Sequence, residues 1–263
     1  MINHGLTPQE IFFYRFLIAY IGIWAISPKH LFADNLKDEL WLVAGGVFGG
    51  SLYFFTENTA LGITQASNVA FIICTAPLLT TILSLLFYKS EKATKGLIYG
   101  SLLALIGVGL VVFNGSVVLK LSPVGDLLTL LAALSWAFYS LVIKRMTGRY
   151  PTVFITRKIF FYGVLTILPA FLLHPLQPDF DVLLQPLVLS NLLFLAVLAS
   201  LICYILWNVV LKQLGTMRAS NYIYLNPLVT MVASVLILHE QITWITLMGA
   251  ACIILGVYLA EKK

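Results

Sequence analysis

Residues 56–91 read TENTALGITQASNVAFIICTAPLLTTILSLLFYKSE, and residues 208–240 read NVVLKQLGTMRASNYIYLNPLVTMVASVLILHE. The two stretches share one plan. Asn58 is followed after 19 positions by Pro77, and Asn208 after 19 positions by Pro227. Pro77-Leu78-Leu79-Thr80 matches Pro227-Leu228-Val229-Thr230. Glu91 lies 14 residues beyond the first proline and Glu240 lies 13 beyond the second. From each glutamate a glycine follows at +9 (Gly100, Gly249) and a Gly-Val pair at +16 (Gly107-Val108, Gly256-Val257). Upstream, Pro8 with Arg15 mirrors Pro151 with Lys158 at equal spacing. Any one match is cheap in apolar sequence, but the joint register marks an internal repeat, with halves at 1–115 and 122–263.

The repeat sits in a chain that is 60% hydrophobic and 10% charged, with mean hydropathy +0.96. Soluble domains run at roughly 45–50% apolar and about 25% charged. So few charged side chains cannot clothe a soluble fold of this length, whereas lipid makes an apolar exterior the correct one. Nine runs are long enough to span: 9–27, 39–61, 66–88, 96–114, 124–145, 152–173, 187–211, 216–238 and 242–260. Turn or charge signals bound most of them, among them Ser27-Pro28-Lys29, Lys89-Ser90-Glu91-Lys92, Asn114-Gly115-Ser116, Arg149-Tyr150-Pro151 and His174-Pro175. Barrel strands are about 10 residues of alternating polarity; these runs are continuous and twice as long. The class expected is an all-α polytopic membrane protein.

The net charge of +5 is explained by loop lysines and arginines that set orientation, so no nucleic-acid partner is expected. One alternating set of loops carries twelve of them: Lys29, Lys37, Lys89, Lys92, Lys95, Lys144, Arg145, Arg149, Lys212, Arg218, Lys262 and Lys263. The opposite set carries Lys120 alone. Basic loops stay cytoplasmic, which predicts a multi-pass protein of the cell (inner) membrane with a cytoplasmic C-terminus. The loop at Glu91 is then inside and the equivalent turn at Glu240 outside. The halves are therefore inverted, which requires an odd number of helices in each. The second half has five and the first has four, so the expectation is a full set of ten of which nine are visible and the first is missing; the alternative is a genuine nine-helix protein. Residues His4-Gly5-Leu6-Thr7-Pro8 read as a turn between helices.

Inverted repeats are the architecture of secondary transporters, with the binding site near the midplane. In its carrying segments, Thr56–Glu91 and Asn208–Glu240, and in Gly125-Asp126-Leu127-Leu128 through Ser135-Trp136-Ala137, the chain resembles the drug/metabolite transporter superfamily in its EamA-type branch. The resemblance covers nearly the whole chain. It implies ten helices, cytoplasmic termini and movement of small metabolites, amino acids or related compounds first among them, with export as one direction. The chain departs from that pattern by lacking the first helix.

Within this frame Glu57 stands out, because an acid at membrane depth costs about 2.5–3.5 kcal/mol or more unless paired, protonated or wet. It is read as a proton-coupling carboxyl or as the counter-charge of a substrate amine; snorkelling to the nearby interface is the plainer alternative. Its repeat counterpart is Trp207, so the charge is no symmetric scaffold feature. Asn58, Asn68, Asn208, Asn221 and Asn226 are substrate-contact candidates that could equally glue helices. Trp136, Tyr139, Tyr204 and Trp207, at i, i+3 spacing, are candidates for an aromatic lining, with packing as the rival; the first three are carried as site residues. Pro77 and Pro227 break the helical ladder and are expected hinges. Gly45-Gly46 and Gly49-Gly50 should let helices approach. Arg15, Arg157 and Lys158 read as snorkelling cations, against the alternative of a gate or an anionic-substrate contact. Asp126 suits a helix start. Cys74, Cys203 and Cys252 read as small core residues.

No metal cluster, nucleotide loop or Ser/His/Asp set is visible, and the His174/Asp179 spacing is coincidental, so neither an enzyme nor a cofactor is expected. The function read is a secondary transporter of a small organic metabolite working by alternating access; proton coupling and facilitated diffusion both stay open. The alternatives are a membrane-embedded lipid-modifying enzyme and a non-transporting membrane subunit. The bilayer and a small-molecule substrate are the expected partners, and no oligomeric state is read.

Overall fold

The computed structural model describes residues 5–27, 31–88, 92–113, 122–172, 175–176, 180–238 and 242–262. Glu91, Glu240, His174, Asp179 and the loop lysines Lys29, Lys89, Lys120 and Lys263 lie outside the described residues, as do parts of several expected turns.

Every regular element among the described residues is helical. The order is α1 (Pro8–Ile26), α2 (Leu36–Gly46), a π turn (Val47–Ser51), α3 (Leu52–Ile63), α4 (Ala66–Ile73), α5 (Ala76–Phe87), α6 (Lys95–Phe113) and α7 (Pro123–Thr147). There follow α8 (Thr152–Ile167) with a 3-10 end (Leu168–Leu172), α9 (Phe180–Leu183), α10 (Pro186–Leu193), a second π segment (Phe194–Ile202) and α11 (Cys203–Leu214). The chain continues through α12 (Thr216–Asn221), a 3-10 turn (Tyr222–Leu225), α13 (Asn226–Leu238) and α14 (Trp244–Glu261). Eight of these helical runs are long and apolar enough to cross a membrane. The ninth expected run, 39–61, is helical along its length but is not one of the eight. Its glycines, Thr56, Glu57 and Asn58 dilute its apolar character.

Local chemistry explains the boundaries. Thr7 accepts from the Glu10 backbone while the Glu10 carboxylate accepts from the Thr7 backbone N–H at 2.8 Å, a capping box that starts α1 with Pro8 in its first turn. Asn35 caps α2 by accepting from the Asp38 N–H at 2.8 Å. Both expected proline breaks are present. α4 ends at Ile73 and the helix restarts at Ala76, just ahead of Pro77. The 3-10 turn Tyr222–Leu225 gives way to α13 just ahead of Pro227. A proline lacks the N–H and crowds the carbonyl four residues back, so the ladder fails on its N-terminal side.

The helices form two compact units, each drawing on both halves of the sequence. The first comprises Met1–Asn58 with Phe138–Gln213, the second Thr59–Ala137 with Leu214–Lys263.

In the first unit the expected glycine pairs do bring helices together. A Cβ on Gly46 would lie 2.9 Å from the Gly163 backbone N, and one on Gly49 would lie 2.2 Å from the Tyr139 ring. α2 and its π turn thus rest directly on α8 and α7. Phe12, Phe16, Phe160 and Tyr204 fill the interior, with Phe16 edge-on to Phe160 at 5.1 Å. Just ahead of the membrane span, Asp38 is tied to Arg149 at 2.8 Å, to Tyr150 at 3.1 Å and to Asn35 at 2.9 Å. Burial pushes the Asp38 carboxyl up, but these donors outweigh it and hold the group below its ordinary value.

In the second unit α6 and α14 run antiparallel in backbone contact. A Cβ on Gly100 would lie 2.4 Å from the Gly256 carbonyl oxygen, and one on Gly107 would lie 2.6 Å from that of Gly249. Gly100 corresponds to Gly249 in the repeat, and Gly107 to Gly256. Each glycine therefore meets the repeat counterpart of the other glycine on its own helix. Ala104, Val108, Ile253, Val257, Cys74 and Tyr224 pack around this line, while Leu102, Ile106, Ile254 and Leu255 on the same helices are exposed. Small residues inside and large apolar ones outside suit helices in lipid, where close packing rather than water exclusion holds helices together. Of the cysteines, Cys74 is buried and Cys252 half-buried. Cys203, the first residue of α11, is exposed, contrary to its reading as a core residue.

Two outcomes follow. Gly256→Ala should lower the melting temperature in detergent. Alanine gains up to about 1 kcal/mol of helix propensity, but its Cβ would sit 2.6 Å from the Ala104 backbone N and the Gly100 carbonyl. Overpacking of that kind costs about 1–3 kcal/mol and wins. Gly62→Ala, where nothing lies within 4 Å, is the control and should melt no lower than the parent; equal melting of both variants would contradict the contact. For Asp38 the lowered folded-state value means that the unfolded chain binds the proton more readily. The stability from this carboxylate is fully present above the ordinary carboxylate value of about 4 and is lost as pH falls through the folded value. Asp38→Asn should therefore melt lower than the parent near neutrality and lose less on acidification; the same acid-induced loss in both proteins would refute the assignment.

Candidate functional site

The first unit gathers the expected residues Glu57, Tyr139, Tyr204 and Asn208. The Tyr204 hydroxyl donates to the Gly49 carbonyl at 2.5 Å, inside the first π turn. Its ring lies 6.0 Å from that of Tyr139. The Tyr139 hydroxyl donates to Asn208 Oδ1 at 2.7 Å, and Asn208 Nδ2 donates to Thr156 Oγ1 at 2.9 Å. Tyr139 and Asn208 are fully buried. This chain ties α7, α11 and α8 together. Asn208 thus makes one hydrogen bond through each side of its amide, one to α7 and one to α8.

Glu57 sits on α3, half-buried, and its Oε1 accepts from the Tyr53 hydroxyl at 3.0 Å. Beside it lies Arg15 of α1. Arg15 Nε donates to Ser200 Oγ of the second π segment at 2.9 Å, and the guanidinium lies 4.5 Å from the Phe54 ring centroid. Arg15 interacts electrostatically with Glu57, and Tyr53 and Tyr204 lie near it. Asn58, next to Glu57, is half-buried at the end of this unit's share of α3.

At the other end of the α2–α3 run, Lys158 is ion-paired with Glu39, which also accepts from the Tyr162 hydroxyl. Arg157 donates to the Ser27 carbonyl. Arg157 is 2% exposed and Lys158 3%, so the snorkelling reading of these two cations is corrected. A carboxylate and a carbonyl from facing segments compensate them inside the protein. Arg15 likewise turns inward, toward Ser200.

The second unit holds Asn68, Trp136, Asn221, Asn226, Pro77 and Pro227. Asn68 is buried on α4 and Trp136 half-buried on α7. Asn221 is fully buried; its Oδ1 accepts from Ser101 Oγ at 2.8 Å, while its Nδ2 has no hydrogen-bond partner among the described residues. Asn226 is exposed at the first position of α13, and both prolines are buried. Asp126 accepts from the Ser122 N–H at 3.3 Å, as a helix start favours. The candidates are thus divided between the two units. The sequence reading passed over Ser200, Tyr53, Thr156 and the Glu39–Lys158 pair. The equal spacing of Pro8–Arg15 and Pro151–Lys158 was the one signal that pointed at two of these centres.

Among the described residues no group of histidine, cysteine and carboxylate side chains could hold a metal ion. What the first unit offers instead is charge and hydrogen-bonding capacity within an apolar helical frame, a chemistry of binding.

Comparison with known proteins agrees. The EamA-like transporter family matches residues 1–113 and 123–261. An uncharacterized transporter of Archaeoglobus fulgidus is 28% identical over 262 residues, covering 98% of this chain and 89% of the relative. The uncharacterized transporter YyaM of Bacillus subtilis is 30% identical over 82% of this chain and 70% of its own length. A probable amino-acid metabolite efflux pump of Salmonella typhimurium is 26% identical over 97% of this chain and 86% of the pump. A solved crystal structure shares the fold with a TM-score of 0.78 at 18% identity, covering 98% of this chain and 88% of the other. On this evidence the chain belongs to the EamA-like transporter family, and it is a multi-pass membrane transporter.

Proposed function

We propose that this chain moves a small amino-acid-like metabolite across the cell (inner) membrane by alternating access, with its C-terminus in the cytoplasm. The observation that carries this reading is the reciprocal glycine contact of α6 and α14. Two equivalent helices packed antiparallel, each presenting the same two glycines to the other, are what inverted halves require. Inverted halves let one conformation become the mirror of the next around a fixed site. The matched breaks ahead of Pro77 and Pro227 supply hinges at equivalent places in the two halves. The halves 1–115 and 122–263 are the repeat units of this reading. The substrate class rests on the named efflux pumps of Salmonella typhimurium and Escherichia coli, and on Arg15 and Glu57, whose opposite charges match the two ends of an amino acid. The cytoplasmic C-terminus rests on the twelve basic residues of one loop set. Asn58, Asn68, Trp136, Asn221 and Asn226 remain proposed substrate contacts.

The test is counterflow in proteoliposomes. Vesicles loaded with unlabelled solute should transiently accumulate the labelled form above equilibrium, for one or more of a panel of amino acids, amines, carboxylates and nucleosides. Saturable counterflow is the mark of a carrier that alternates; no saturable flux of any panel member would sink the reading. The same vesicles with and without a pH gradient separate proton coupling from facilitated diffusion. A single-cysteine label placed after Lys263 should be blocked by impermeant reagent only in permeabilised cells, and blockage in intact cells would reverse the orientation.

A further inference from the structure

Arg15 and Glu57 come from different helices at similar depth. Arg15 lies seven residues into α1, about 10 Å along its axis. Glu57 lies six residues short of the end of α3, about 9 Å along its axis. Each uses only part of its hydrogen-bonding capacity. The one hydrogen bond that Arg15 makes among the described residues is from Nε to Ser200, so both terminal nitrogens of its guanidinium fork are unspent. Among the described residues Glu57 accepts from Tyr53 through Oε1 alone, which leaves Oε2 unspent there. Neither side chain is fully buried. The two interact electrostatically, yet they do not close on each other as Lys158 closes on Glu39. Around them stand Phe16, Phe54, Tyr53 and Tyr204.

A cation and an anion held apart among aromatic rings, each with free donors or acceptors, form a receptor for a ligand carrying the opposite pair. We infer that Arg15 and Glu57 are the two poles of a binding subsite for zwitterionic α-amino acids. The guanidinium fork takes the carboxylate in bidentate fashion, and Glu57 takes the ammonium. Ser200 and Tyr53 hold the two poles in place, one hydrogen bond each. Net charge sets the selectivity. The empty subsite is neutral and stays neutral with a zwitterion bound. A solute with one charge satisfies one pole and leaves the other uncompensated at membrane depth, where an isolated charge is expensive. The rings, not the poles, meet the substrate's side chain, so the subsite fixes the class of ligand and leaves room for several side chains.

This inference rests on the transporter reading above, and its test separates the two. Alanine, threonine, methionine, leucine and phenylalanine are compared in proteoliposomes, each with its amino alcohol and its 2-hydroxy acid. The three compounds of a set share a side chain and differ only in which charge they carry. For the best-transported set, the amino acid should have a KM about tenfold to a hundredfold below those of both analogues, the worth of one charge-assisted contact. Arg15→Gln should raise the KM of the amino acid by a similar factor and leave that of the amino alcohol near its parental value. Glu57→Gln should do the same for the amino acid while sparing the hydroxy acid, and Arg15→Lys should restore part of what Arg15→Gln loses. Analogues handled as well as the parent amino acid would overturn the subsite, as would two neutralised variants that keep the parental KM. If Arg15→Gln does not fold, the wild-type analogue series decides alone. Flux of singly charged solutes without a preference for zwitterions removes the subsite and leaves the transporter standing. Absence of flux from this panel removes the subsite, and the wider counterflow panel then judges the transporter.

Discussion

An ionised side chain cannot be left alone in hydrocarbon, and the first unit is built around that constraint. The run from Leu36 to Ile63 carries an acid toward each end, Glu39 and Glu57, eighteen residues apart. At a rise of 1.5 Å per residue that is about 27 Å, close to the thickness of the hydrocarbon core. Each acid answers a cation from another helix, Lys158 for Glu39 and Arg15 for Glu57. These two cations occupy the same place in the repeat, seven residues after Pro8 and Pro151. One long helix thus meets the same positional signal twice, near opposite faces of the membrane. The two meetings differ: Lys158 and Glu39 are in contact, whereas Arg15 and Glu57 stand apart. A closed pair is a fastening. An open one, with hydrogen-bonding capacity left over, is where a ligand can be held.

Lipid gives helices no hydrophobic reason to associate, so close approach must do the work, and side-chain size decides where approach is possible. α6 and α14 touch through Gly100, Gly107, Gly249 and Gly256 because no Cβ stands between their backbones. Gly46, Gly50 and Gly163 play that part between the first π turn and α8. Around these lines the polar chain Tyr139–Asn208–Thr156 gives each buried side chain a hydrogen-bond partner, which is the condition for burying amides and hydroxyls at little cost. Arg15 and Glu57 differ from these groups in being charged as well as only partly engaged.

The helical class, the repeat, the proline breaks and the glycine approaches were all legible in the sequence, because each has a local or periodic cause. Composition alone rules out a soluble fold. Proline removes the ladder on its N-terminal side wherever it stands, so it can begin a helix but not continue one unbroken. Glycines at equal distances from matched glutamates betray equivalent helices. Partner choice was not legible. Nothing in the letters says that Lys158 meets Glu39, or that Arg15 reaches Ser200 across 185 positions of sequence. Snorkelling was therefore the natural reading of three cations near helix ends, and it failed for Arg157 and Lys158 because facing segments supply a carbonyl and a carboxylate at their own depth. The asparagines show the same limit from the other side. Their residue type fits glue and contact equally, and only the tally of spent hydrogen bonds tells the two apart.

The two π segments join the local and the distant causes. Val47–Ser51 begins eleven residues before Asn58, and the second segment, Phe194–Ile202, includes Val197, eleven residues before Asn208. Equivalent places in the halves have lost the regular ladder without any proline, so the cause is not local. In the first segment Gly49 and Gly50 face Tyr139 and Gly163, and the Gly49 carbonyl accepts from Tyr204. In the second, Ser200 is turned to Arg15. A π turn widens the helix and re-aims the groups around it, and such turns gather at functional sites. Here one of them lies directly ahead of the helix that bears Glu57, and the other carries the serine that holds Arg15. Irregular backbone thus supplies the serine that holds Arg15 and adjoins the helix that bears Glu57, and packing against the neighbouring helices sustains it where helix propensity alone would have erased it.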